Sequence, residues 1–145
     1  MTRWLLVATA ALALAPSVGC SEHKKVTECN ALVAAINSGV DKIQKATSTG
    51  ADAGTVSADL RGVAETMDEV AAEAGKIELT IRDLQDYARE YLGLVKEVGA
   101  AAREVAEARD KADEAQMQKA QARMDAAVKR EDPLVDAING YCRSP

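Results

Sequence analysis

Between Leu60 and Val98 the chain places an apolar or small residue at Leu60, Val63, Met67, Val70, Ala74, Ile77, Ile81, Leu84, Ala88, Tyr91, Val95 and Val98. The intervals alternate between three and four residues throughout. A strand, with its period of two, cannot produce such a series, whereas one face of an α-helix does. A repeat averaging 3.5 residues over this length also calls for a partner helix and left-handed, coiled-coil-like packing. A shorter series of the same kind runs through Val26, Cys29, Val33, Ile36, Val40 and Ile43. Thr47-Ser48-Thr49-Gly50 and Asp52-Ala53-Gly54 separate the two with turn-forming residues. These patterns predict helices over 26–47 and 56–98. Gly75 and Gly93 each cost about 1 kcal/mol relative to alanine inside a helix. The stripe nevertheless passes through both in register, with at most a slight bend at Gly75.

The strong repeat stops at Gly99, which is expected to break the chain before a third helix over 101–131. Its apolar signal is thin and divided. Val105, Ala108, Ala112, Ala115, Ala122 and Ala126 form one series, interrupted by Lys119, while Met117, Ala120, Met124 and Val128 form a rival. Alanine faces let helices approach closely but bury little area each, so this helix is expected to be the least securely packed. Glu107–Lys111 and Asp125–Lys129 stand four apart in the acid-first order, on what reads as a solvated face. Asp132-Pro133 then has the form of an N-cap followed by proline at the first helical position, opening a short helix with Leu134, Ile138 and Tyr141 on one side. The chain lacks phenylalanine and is rich in alanine, which disfavours a sheet. The expected fold is all-α: an elongated antiparallel three-helix bundle with a short fourth, C-terminal helix. A rival arrangement fuses the second and third helices into one rod, which would need a partner chain to cover its stripe.

The amino terminus carries different information. Arg3 precedes an apolar stretch, Trp4 to Ala15, too short to cross about 30 Å of hydrocarbon as a helix. Pro16-Ser17-Val18-Gly19 then leads into Cys20. This layout resembles a bacterial lipoprotein signal, with the small residue before the cysteine supplied by Gly19 and Ser17 standing where leucine is usual. The resemblance implies removal of residues 1–19 and lipidation of Cys20 by diacylglycerol on sulfur and a fatty acyl group, such as palmitate, on the new amino terminus. Residues 20–25 would be a lipidated tether and 26–142 the helical domain. Ser21 resembles the outer-membrane-directed type, so the implied location is the cell envelope, anchored in the outer membrane and facing the periplasm. Several acyl chains anchor stably where one does not.

In that oxidising compartment, lipid on Cys20 leaves Cys29 and Cys142 to pair with each other. A length check agrees. At about 1.5 Å per residue the three long helices measure about 33, 65 and 47 Å, so an up-down-up path ends about 15 Å below the start of the first. A reversal at Asp132-Pro133 would let the short helix return about 14 Å, to the level of Cys29.

Chemistry is sparse. Arg3 is the single charge among residues 1–19, so their removal takes the formal net charge from -5 to -6, which argues against nucleic acid as a partner. His23 is the sole histidine and belongs to the tether. The cysteines have no metal-site spacing, and phosphate-loop and metalloprotease motifs are missing. Tyr87 and Tyr91, one turn apart beside Arg89, could line a small patch but suit core packing better. No cofactor and no catalytic residue is expected. The sequence favours a lipid-anchored envelope protein with a structural or protein-interaction role, contacting another envelope protein or a second copy of itself. The alternative is a periplasm-facing binding module for a small apolar ligand.

Overall fold

A computed structural model describes residues 19–47 and 56–144 of the chain. The described residues form five helices: α1 (Gly19–Thr47), α2 (Val56–Ala74), α3 (Arg82–Asp110), α4 (Glu114–Val128) and α5 (Glu131–Arg143). The signal-like residues 1–18 and the expected turn at 48–55 lie outside the described part. The fold is an all-α antiparallel bundle with a short C-terminal helix. Its centre is α3, against which α1, α2, α4 and α5 all pack. Leu32, Val70, Leu84 and Ile138 are its largest fully buried side chains, one from each of four helices.

Cross-helix pairs give the directions. Arg61 pairs with Asp110 and Arg103 with Asp68, so α2 and α3 run antiparallel. Glu28 reaches Thr80 and Ile81 while Lys42 reaches Glu73, which sets α1 antiparallel to α2. Glu104 pairs with Arg123, and Glu97 with Arg130, so α4 descends along α3. The Tyr87–Tyr141 ring contact continues that register into α5.

The stripe from Leu60 to Val98 is buried along much of its length, at Met67, Val70, Ala74, Leu84, Tyr91, Val95 and Val98, but it does not belong to one helix. The chain folds back between Gly75 and Ile81, where only a slight bend is expected from the repeat. The reason lies in a second periodicity: Ile77, Leu79 and Ile81 are partly buried against the core while Glu78 and Thr80 are exposed. This period-two alternation is that of extended chain, and Ile81 has φ -83° and ψ 122°. Ile77 and Ile81 satisfy the helical stripe and the extended alternation at once, which is why the stripe passes through the turn unbroken.

The break expected at Gly99 does not occur, because α3 runs through it to Asp110. A Cβ there would lie 3.0 Å from Met67 Cβ and 3.6 Å from the Ala64 carbonyl oxygen. Gly99 thus lets α2 and α3 approach closely, and Ala64, Ala101, Ala102 and Ala106 around it are fully buried. The chain turns instead at Lys111-Ala112-Asp113. Asp113 N–H donates to the Ala108 carbonyl and Ala112 N–H to that of Arg109, the two bonds of a Schellman end, with Ala112 left-handed at φ 53°. Asp113 then caps α4 by accepting from Gln116 N–H at 3.0 Å. The expected third helix over 101–131 is therefore the end of α3 plus α4. Within α4 the rival stripe faces the bundle as far as Met124: Ala120 is buried and Met117 and Met124 partly so, while Val128 is exposed and Ala127, in neither series, is buried in its place; Ala115, Ala122 and Ala126 are exposed.

Two further boundaries move. The chain does not reverse at Asp132-Pro133, since α5 continues down α3 from α4 with Arg130 still near-helical at φ -88° and ψ -10°. Pro133 is the third residue of α5, where its missing N–H leaves no helical bond unmade. At the other end α1 begins at Gly19 rather than Val26, so the expected tether is helical, with residues 22–24 exposed and Lys25 half-buried.

Candidate functional site

The turn at 75–81 delivers backbone donors to one side chain of α1. Glu28, 8% exposed, accepts from the N–H groups of Thr80 at 2.8 Å and Ile81 at 2.9 Å, and from the Thr80 hydroxyl. Burial pushes its carboxyl up, but the hydrogen bonds from Thr80 and Ile81 outweigh this and hold it below the usual range. Ile81, the N-cap of α3, has no side-chain cap of its own. The Glu28 charge therefore also stands at the positive end of the central helix.

The next residue of α1, Cys29, is bonded to Cys142, with Cα atoms 5.7 Å apart. The expected pairing forms, although by a different route: α4 and α5 together descend α3 and carry Cys142 to the first turns of α1. Beside it Lys25 donates to the Ser144 carbonyl at 2.8 Å and hydroxyl at 3.0 Å. The same ammonium lies 4.6 Å from the centre of the Tyr141 ring, a cation–π distance. Tyr141 meets Tyr87 edge to face at 5.8 Å. Both ends of the described chain are thus gathered at one end of the bundle, and Cys20 lies within the first turn of α1 there.

The other residues singled out from the sequence separate. Tyr87 belongs to this end. Tyr91 is buried in the core, its phenol pushed up to about 12 by burial and by nearby Glu131. Arg89 pairs with Asp86 at the surface, so the three do not form a patch. His23 is exposed, and no group of metal-ligating residues exists among the described residues. None of the described helices is long and apolar enough to cross a membrane.

A second feature lies on the flank of α3. No Cα of α1 comes within 8 Å of one of α4, and a cleft of about 260 Å³ opens between α1 and the junction of α4 and α5. Its floor is Tyr91, Leu94, Val95 and Val98 of α3, with Met67 beneath. Val40, Ile43 and Gln44 form one wall, and Val128 and Glu131 the other. Val128 is 49% exposed at the rim. Burial, then the neighbouring Asp132, pushes the Glu131 carboxyl above its usual range.

Sequence reasoning missed Lys25, Glu28 and Glu131. Their weak signals were a charged residue beside a core cysteine, for Glu28, and an acid immediately before an expected cap, for Glu131. No family model, curated protein or solved structure matches this chain.

Proposed function

We propose that this protein is a lipid-anchored component of the bacterial cell envelope with a structural or protein-interaction role. It would be held in the outer membrane through Cys20 and face the periplasm. The observation that carries the reading is the convergence of the chain at one end. The Cys29–Cys142 bond and the Lys25–Ser144 contacts fasten the carboxyl end beside the first turns of α1. An anchor at Cys20 would therefore hold the whole bundle by that end. The α3–α4 turn would stand at the opposite one, with the exposed ion pairs of Arg61, Arg103 and Arg123 on its sides.

Two measurements test this. Metabolic labelling with a fatty-acid probe should mark the protein, and Cys20→Ala should abolish the mark; labelling unaffected by that change would refute the anchor. Crosslinking in the intact envelope, followed by recovery of the lipidated protein, should then enrich one envelope protein reproducibly, or a second copy of this chain. Recovery of a small apolar compound alone would instead support the binding-module reading.

A further inference from the structure

The cleft between α1 and α4 differs from an ordinary packing fault in carrying an acid without a counter-charge. Arg130, next in sequence to Glu131, is committed to Glu97, and Lys42 is committed to Glu73. Among the described residues no ion pair reaches Glu131. Its half-buried carboxyl faces a floor of leucine, valine and tyrosine. A carboxylate held against apolar surface is costly unless a charged or hydrogen-bonding partner compensates it. A cavity of about 150 Å³ accepts benzene, and the cleft, at about 260 Å³, has room for an aryl or short alkyl body of roughly ten to fifteen heavy atoms.

We propose that this cleft is a binding site for a small amphipathic cation, whose apolar body lies on Tyr91, Val95 and Val98 while its ammonium group pairs with Glu131. Charge complementarity selects this occupant over a neutral apolar compound, which would bury the carboxylate still further without compensating it. An anionic amphiphile is excluded by the same charge. The site is independent of lipidation at Cys20 and of any protein partner, so it stands or falls separately from the role proposed above.

The test uses the full-length protein in lipid nanodiscs, with empty nanodiscs as the blank. Two photoactivatable probes share one arylbutyl tail and end in an ammonium or a hydroxyl group, and labelled peptides are located by mass spectrometry. The ammonium probe is expected to label residues 40–44 and 91–98 saturably, about threefold or more above the hydroxyl probe, as a partly exposed ion pair provides. Glu131→Gln should bring the two probes level. Val128→Trp, which fills the rim, should reduce labelling of these segments by both probes at least about fivefold, the loss expected when a ligand's apolar contacts are blocked. Far-ultraviolet circular dichroism reports whether each variant is folded; if Val128→Trp is not, Glu131→Gln decides. Equal labelling by the two probes in the unaltered protein overturns the proposal, as does labelling spread along the chain. A preference for the ammonium probe that survives Glu131→Gln overturns it as well.

Discussion

The two ends of this bundle are held by different physics. At the end where the start of α1 and the end of α5 meet, one covalent bond, one buried carboxylate and one lysine fasten segments far apart in sequence. Towards the α3–α4 turn, α2 and α3 are held by close approach over glycine and alanine, with ion pairs confined to the exterior. Close packing of small residues stabilises through many weak contacts and leaves no slack, whereas the clamps are few and individually large. Between the two regimes, α1 and α4 stay apart and the cleft remains. A bundle with little apolar volume per residue can therefore be secured at one end and left accessible on its flank.

The strongest way to break this contrast is to remove the disulfide. Cys29→Ala with Cys142→Ala opens a loop with a sequence separation of 113, and loops of this length contribute up to about 4.7 kcal/mol in the chain-entropy model. Urea unfolding should show the largest loss of any change here, and a loss below about 1 kcal/mol would mean that the clamped end holds without its bond. Glu28→Ala comes next. It leaves the Thr80 and Ile81 donors without their acceptor and is expected to cost about 2–3 kcal/mol in the same experiment. Gly39→Ala probes close approach directly, because the added Cβ would lie 2.7 Å from the Tyr91 hydroxyl and 2.8 Å from Val70 Cγ1. Both neighbours are 2% exposed, so an overpacking cost of about 1–3 kcal/mol is expected. Gly93→Ala, with nothing within 4 Å, should instead stabilise α3 by about 0.5–1 kcal/mol. If both glycine variants shift stability in the same direction, the contrast between packed and open faces fails.

Acidity separates the regions by sign. Glu28 is held below its ordinary value of 4.5, so its contribution is complete above that value and lost as pH falls through the lower folded one. Glu131 is pushed above 4.5. Its penalty is absent below that value and grows as pH rises towards the folded one. In thermal melts across this range, Glu28→Gln should differ most from the unaltered protein at neutral pH and converge with it in acid. Glu131→Gln should gain stability at neutral pH and lose that gain in acid. An effect as small as that of Gly93→Ala is expected at the α3–α4 turn, where Ala112→Gly relieves a left-handed alanine at φ 53° and should add about 0.5–1 kcal/mol to the melting stability.

The stripe from Leu60 to Val98 made the helical class and most buried positions legible, because burial face follows from spacing alone. It could not show where the helix stops. Ile77 and Ile81 keep contact with the core from an extended turn, so periodicity passes over the fold-back, and the Ile77-Leu79-Ile81 alternation was the signal available. Gly99 misled for the complementary reason: glycine serves equally to end a helix and to let another helix approach, and only a neighbour such as Met67 distinguishes these uses. Asp113 and Gln116 did carry a capping pattern, hidden within a run of strong helix formers. The cleft was not legible, since it depends on how far apart two helices distant in sequence pack against α3.

The sequence by itself determined an all-α bundle and marked Cys29 and Cys142 as the pair left if Cys20 is modified, since period and parity are properties of one dimension. The tertiary structure decided where the chain turns, which α4 face is buried, what Glu28 holds and that Glu131 faces an apolar cleft. Each of these depends on residues brought together from distant parts of the chain, and their energies exist only once the helices are packed.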